Sequence, residues 1–310
     1  MSRPNPTQTY AKPAKSAFSL LRHVQAKGLS IKGEQKVALR ALQFIGYYRL
    51  LIYMRPFQDR ATKRFYQGVK FTDVLAVYDF DRNLRLLCLD AVERIEVAIR
   101  SAIVTAVASK KGFGPHFFYD ERKFESPQAH RDFMKSVVYG SNGKTLPVEH
   151  YYRIYSSPSS PPIWALLEGV TFGNISFLYA GLHLSVRKEV ALLLGYDESV
   201  LVSWFKSINV LRNFCAHHNR IWNFDMLVNV PVFANRIRSE FPPGNRAGSF
   251  FARAVILQAL LKEIDPTSDW SAKLKALIKA FPAAQLTKAG LSLEAIGITD
   301  PNWDTRAFWS

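Results

Sequence analysis

The sequence predicts an all-α fold. Alternation at strand period is nearly absent along the 310 residues. From Thr72 to about Lys110 no Gly or Pro interrupts the chain, and Leu84, Cys88, Ala91, Ile95, Ile99 and Ile103 recur at three- and four-residue spacing. A second stretch without Gly or Pro opens at Asp197 and runs to Pro231.

Taken in order, residues 1–15 are polar with three prolines and read as a disordered tail. Residues 16–27 and 33–54 read as helices within a basic region, 16–70. There Tyr47, Tyr48, Arg49, Arg55, Lys63 and Arg64 are candidates for contact with RNA, through stacking and phosphate pairing, although aromatics at helical spacing more often pack a core. A helical domain with a C-terminal helical extension is expected over 71–310. Its long first helix opens with Thr72 or Asp73 as cap. The segment DAVERIEVAIR puts Glu93, Glu96 and Arg100 on one side of that helix, either as support for a site or as an ordinary network. Glu96 and Arg100 stand i, i+4, which at a surface adds only about 0.3–0.5 kcal/mol. Residues 111–162 read as irregular except 126–138, and the Gly, Pro and Ser loop at 139–162 is long enough to be a lid. Helices then follow over 162–172, 185–195, from 197 onward, 246–263 and 270–280, before a tail packed by its tryptophans.

The formal net charge is +16, and residues 1–70 supply +12 of it, from fourteen Lys or Arg against Glu34 and Asp59 alone. That asymmetry favours a polyanionic partner, with a solvated basic face as the plain alternative. The apolar stretch AVILQALL at 254–261 is far too short to span a bilayer. The first thirty residues carry no apolar leader, and only two cysteines occur, Cys88 and Cys215, so a reducing cytoplasm without a disulfide framework is expected.

The stretch NVLRNFCAHHNRIWN, residues 209–223, has an unusual cargo. Read as one helix, it gathers Val210, Leu211, Phe214, Cys215, His218, Ile221 and Trp222 on one arc. Asn209, Arg212, Asn213, Ala216, His217, Asn219, Arg220 and Asn223 gather on the other. His218 then falls at the centre of the apolar arc and reads as a core histidine. His217 falls on the polar arc, i, i+4 from Asn213. The polar arc is made of Asn, Arg and His where a solvated face would carry Lys and Glu, so it is not built for helix stability. Metal ligation is disfavoured, because Cys215, His217 and His218 cannot converge from one straight helix and no zinc-spaced partner motif occurs. Arg212 and His217 stand about 140° apart on such a helix. A compact pair therefore needs a break in the helix or a second copy across a two-fold axis.

The motif RNFCAHH fits the Arg-x4-6-His pattern of the HEPN ribonucleases. The segments ALQFIGYYRL, VYDFDRNLRLLCLDAVERIEVAIR, PPIWALLEGVTFGNIS, VLRNFCAHHNRIWN and GITDPNWDTRAFW follow one another as in the Abi-like family of bacterial abortive-infection proteins, of the AbiD and AbiF type. The sequence resembles that family over roughly residues 12–310. The resemblance implies a HEPN-type helical bundle with the basic region at its N-terminus and the long irregular loop as an insertion. It implies a cytoplasmic endoribonuclease of antiviral defence that needs neither cofactor nor metal. Arg212 and His217 would be its catalytic pair, Asn213 would orient or polarise, and His218, Glu93, Glu96 and Arg100 would support. It also implies a homodimer, target RNA as partner, and for some members a toxin–antitoxin-like pairing with a small structured RNA. Two other readings fit the residues: a non-catalytic RNA-binding sensor, and a helix–helix interface built from asparagines.

Overall fold

The computed structural model describes residues 13–140 and 145–310. Most of the expected tail at 1–15, and residues 141–144 of the expected loop, lie outside the described residues. The chain is all-α. Among the described residues there is no strand, only isolated bridges at Ser30–Lys70, Gln58–Phe65 and Phe124–Leu182. It divides into two compact units, one reaching Phe80 and including Pro282–Ser292, the other Asp81–Phe281 with Leu293–Ser310.

The first unit opens with α1 (Ala17–Ala26), capped by the Ser16 hydroxyl accepting from Ser19 N. Next come α2 (Gln35–Ala41), a π-helical turn over Leu42–Gly46, and α3 (Tyr47–Met54). The single helix expected over 33–54 is thus interrupted. Gly46 breaks it at φ 91°, ψ 147°, a conformation that only glycine adopts without strain. α4 (Phe71–Ser109) is a 39-residue helix whose first ten residues belong to this unit. The helix opens earlier than the sequence reading has it: Thr72 and Asp73 lie inside the first turn, and Asp73 reaches back from there to accept from Lys70 N at 2.8 Å. The Asp73 carboxylate also meets Lys288 Nζ at 2.8 Å, which fastens the Pro282–Ser292 segment to this unit. Leu50, Tyr53, Met54, Phe57 and Phe71 are fully buried and form its core.

The second unit takes the rest of α4, then α5 (Pro127–Phe133), α6 (Leu146–Ile154), α7 (Ile163–Leu167), α8 (Phe172–Gly181), α9 (Leu184–Leu194), α10 (Glu198–Ala216), α11 (Phe250–Ile264) and α12 (Trp270–Lys279). α13 (Ala283–Leu286) returns to the first unit. Two expectations are corrected here. The loop at 139–162 is not irregular throughout, since α6 occupies it, begun by Leu146–Pro147 after the extended Thr145. The helix expected over 162–172 stops at Leu167, and Thr171 caps a new one through its hydroxyl on Asn174 N.

α11 is apolar all round and is the core of this unit: Phe250 to Leu261 are all buried. Around it pack α9 and α10, while the chain end brings Trp303 and Trp309 against Phe251, with ring centroids at 5.3 and 5.4 Å. A cation sits on this core helix. Arg253, fully buried, donates to the carbonyls of Gly248 and Met226 at 2.9 Å, and to Val228 and Ser249 at 3.3 and 3.4 Å. Burial pulls its guanidinium down to about 10, partly offset by Asp225. The carbonyls of Gly248, Met226 and Ser249 belong to buried residues and share this side chain as a donor, while Val228 is exposed. Arg253→Met is expected to destabilise the protein by about 3 kcal/mol, read as a lower urea midpoint.

Candidate functional site

The motif lies at the C-terminal end of α10, and the helix ends inside it. Ala216 is the last helical residue and His217 is the C-cap. His217 N–H donates to Asn213 O at 3.0 Å, His218 N–H to Cys215 O at 3.0 Å and Asn219 N–H to Phe214 O at 2.8 Å. His218 stands at φ 57°. These bonds with one left-handed residue form a Schellman ending, with histidine where glycine is usual. The expectation of a helix through 223 is therefore corrected, and so is that of a core His218. With the chain reversed at this point, His218 is exposed, as are His217 and Asn219.

A buried carboxylate on α4 catches the chain after this ending. Asp81 accepts from Trp222 N at 2.7 Å and Ile221 N at 3.1 Å, and pairs with Arg85 one turn on. Asp81 and Arg85 are 0% and 4% exposed, so the pair works in a low-dielectric interior. Ile221 and Trp222, which the helical reading placed on an apolar arc, are buried, but as coil held by this carboxylate. Cys88, one turn beyond Arg85, lies against Cys215 of α10. Burial, then its hydrogen bond with Cys215, then Asp81 push the Cys88 thiol well above its usual range, which makes it inert packing.

Further along α4, Arg100 Nη2 pairs with Glu96 Oε1 at 2.5 Å and donates to Val170 O at 2.9 Å. Burial raises the Glu96 carboxyl above its usual range; the charges of Arg100 and then Arg212 lower it, and Glu93 raises it. Glu96, Arg100 and Arg212 thus form one electrostatic neighbourhood, with the exposed Glu93 at its margin. α8 packs closely on α10: a Cβ on Gly173 would come within 3.4 Å of the Asn209 amide. That is one reason a helix carries an asparagine on its packed side.

On α10 itself, Arg212 is half-buried and Asn213 exposed, and Arg212 Nη1 donates to Asn213 Oδ1 at 3.4 Å. Asn213 is hinged to both neighbours, through its side chain to Arg212 and through its backbone carbonyl to His217. The arrangement offers a guanidinium, an amide and an imidazole at one helix end, open to solvent. Clefts in this unit beside Phe124 and Phe177, beside Tyr196 and Arg236, and beside Trp303 and Arg306 include none of these groups. An open surface site suits a chain-like substrate better than an enclosed small molecule. Among the described residues, no three His, Cys, Asp or Glu side chains are grouped to hold a metal ion.

The other predicted residues lie in the first unit. Tyr48 is 76% exposed, while Tyr47 is half-buried between His23 and Tyr48, with ring centroids at 6.2 and 5.5 Å. Arg55, Lys63 and Arg64 are exposed, and Arg49 half-buried. Lys63 turns its ammonium onto the Arg60 carbonyl. Sequence reasoning missed Asp81 and Arg85, although charges i, i+4 on the apolar arc of α4 were the available signal. It also missed Phe44, 78% exposed on the π-helical turn.

The model of a family described as Abi-like protein matches residues 40–223, which runs from the end of α2 to the end of the motif segment. No curated protein and no solved structure matches the chain.

Two outcomes follow from the helix ending. Asp81→Ala removes the buried partner of Arg85 and strands two amide N–H groups, so a loss of about 3–5 kcal/mol is expected in urea unfolding. His218→Gly relieves the left-handed backbone and is expected to hold or raise stability, by up to about 1 kcal/mol, in the same measurement.

Proposed function

The chain belongs to the Abi-like protein family, and so to the proteins of abortive infection and phage defence; we propose that its part in that defence is RNA cleavage by a metal-independent, HEPN-type site. The observation that carries this reading is the pairing of Arg212, Asn213 and His217 on the last turn and C-cap of one helix, with both the amide and the imidazole open to solvent. RNA brings its own nucleophile. His217 takes the proton from a 2′-hydroxyl, or gives one to the departing 5′-oxygen, and imidazole is suited to either near neutral pH. Arg212 holds the phosphate and meets the charge that builds on its oxygens in the transition state. Asn213 orients Arg212 and ties it to the His217 backbone. The attack closes a 2′,3′-cyclic phosphate and releases a 5′-hydroxyl end.

One chain offers one such set, and the composite groove is completed by a second copy in a homodimer. Glu96 and Arg100 act behind Arg212 as positioning residues. A small structured RNA, as implied for some AbiD- and AbiF-type proteins, would act as restraint or guide.

The test is end analysis of a mixed RNA pool incubated in EDTA with protein stripped of co-purifying RNA. Wild type is expected to leave 2′,3′-cyclic phosphate ends, with Arg212→Ala and His217→Ala each about 10²–10⁴-fold slower. Single-stranded DNA, lacking the 2′-hydroxyl, stays intact. RNA left intact by all three proteins would turn the reading to an RNA sensor without catalysis. Cleavage retained by His217→Ala would remove the assigned base.

A further inference from the structure

The first unit carries a surface that its own fold does not explain. Between Leu42 and Leu50, both buried, none of the seven intervening residues is buried, although Phe44, Ile45, Tyr47 and Tyr48 are among them. Phe44 is 78% and Tyr48 76% exposed. Burying a ring of that size would stabilise the fold by roughly 1.5–3 kcal/mol, so leaving two outside forgoes real stability. The backbone keeps them out. A π-helical turn over Leu42–Gly46 and the break at Gly46 separate α2 from α3, and π-helical turns cluster at functional positions. Arg40, one turn before Phe44, lays its guanidinium over the Phe44 ring at 5.4 Å.

The electrostatics around this surface are one-sided. Arg22, Lys32, Lys36, Arg40, Arg55 and Arg64 are exposed. The described residues of this unit hold four acids, of which Asp79 is exposed on α4 and the other three are tied into the fold. Glu34 accepts from Thr72 N and Oγ1 at 3.1 and 2.7 Å. Asp59 accepts from Thr62 N and Oγ1 at 2.7 and 2.8 Å. Asp73 is held by Lys70 N and Lys288 Nζ. Exposed rings, one of them under a guanidinium, in a unit with a large excess of cations have the chemistry that binds unpaired bases: ring faces stack, a cation backs a ring, and lysines and arginines take phosphates.

We propose that the α2–α3 face is a stacking platform for a single-stranded RNA segment, with Phe44 and Tyr48 as the ring faces and Arg40 as the cation shared between ring and phosphate. That the strand is RNA and not DNA rests on the ribonuclease reading above; the stacking geometry does not. An anionic membrane is the other polyanionic surface such a patch could meet. It is disfavoured because an interfacial helix carries a broad, continuous apolar face, whereas α2 and α3 are short, broken from each other at Gly46, and show exposed Gln43 beside Phe44.

The experiment uses the full chain and a fluorescent 2′-O-methyl oligouridine of about 15 nucleotides, which 2′-hydroxyl chemistry cannot cut, in about 0.1 M salt. Binding is read by anisotropy, so it stands or falls separately from cleavage. The Phe44→Ala, Tyr48→Ala double variant is expected to weaken binding at least about tenfold, with an unchanged urea midpoint because both rings are exposed. Phe44→Tyr with Tyr48→Phe should bind as wild type, and Arg40→Gln should flatten the salt dependence by about 0.7 in log–log slope. The proposal is overturned if the double alanine variant binds like wild type, if an RNA duplex competes as well as the single strand, or if the alanines release the protein from phosphatidylserine vesicles while sparing the oligonucleotide.

Discussion

Asp81 is a carboxylate with no access to water, and three groups depend on it: the guanidinium of Arg85 on its own helix, and the amide N–H groups of Ile221 and Trp222 from the coil beyond α10. An ionised carboxylate in the interior is tolerable only when its lone pairs are taken up by donors and its charge is matched. Here Arg85 on the same helix matches the charge, and the segment that must turn back after the histidines supplies two of the donors. Since Ile221 and Trp222 are also fully buried, apolar burial and charge-assisted hydrogen bonding fix the same few residues. The residues between this anchor and the end of α10 have little freedom left, and those are His217 to Arg220. The backbone that carries the two exposed histidines is therefore anchored from behind by a dry ion pair.

The helix ending explains a feature of the motif that no helical wheel accommodates. Two adjacent histidines do different backbone work. His217 keeps a near-helical φ of −87° as the C-cap and takes the last helical carbonyl, that of Asn213. His218 has crossed to the left-handed region, where a non-glycine residue carries strain of order 1–2 kcal/mol. Backbone strain of this kind persists where surrounding structure over-determines it, and the Asp81 anchor three residues later supplies that constraint. The asparagines have an account in the same terms. Asn209 faces the close approach of Gly173, and Asn213 links Arg212 to His217; neither is there for helix propensity.

Much of this was legible in the sequence, and the failures have identifiable causes. The helical class and the long α4 could be read because no breaker interrupts Thr72–Lys110 and the apolar period is sustained. Asp73 was recognisable as an opening residue because capping is local chemistry. The end of α10 was not legible, because the usual stop signal is glycine and here a histidine adopts the glycine conformation under tertiary constraint. A helical wheel continued to Asn223 places His218 in the core, where the structure exposes it. α6 was hidden in the same way, since Pro147 and the surrounding Gly, Ser and Thr read as loop although proline is tolerated in a first turn. Among the site residues, Arg212, Asn213 and His217 stood out by composition. Asp81 and Arg85 did not, because their role is defined only by coil residues about 140 positions away.

The basic N-terminal unit follows a different logic from the motif. Around the motif the charges are few and placed: Glu96 pairs with Arg100 and Asp81 with Arg85 on α4, and Arg212 meets Asn213 on α10. In the first unit Glu34, Asp59 and Asp73 are tied into the fold by hydrogen bonds, and Arg22, Lys32, Lys36, Arg40, Arg55 and Arg64 are exposed. Geometry fixed to this degree is what discrimination between ground state and transition state requires. A loose excess of cations cannot supply it, but it gives sequence-independent, salt-sensitive attraction to phosphates. Discrimination among polyanions then falls to whatever stands between the cations, and in this chain that is a pair of exposed rings on a backbone break that only glycine permits. The net charge of +16 is therefore not one property of the molecule but two. It is a diffuse field centred on the first seventy residues, and a small number of placed charges that the second unit fixes by burial.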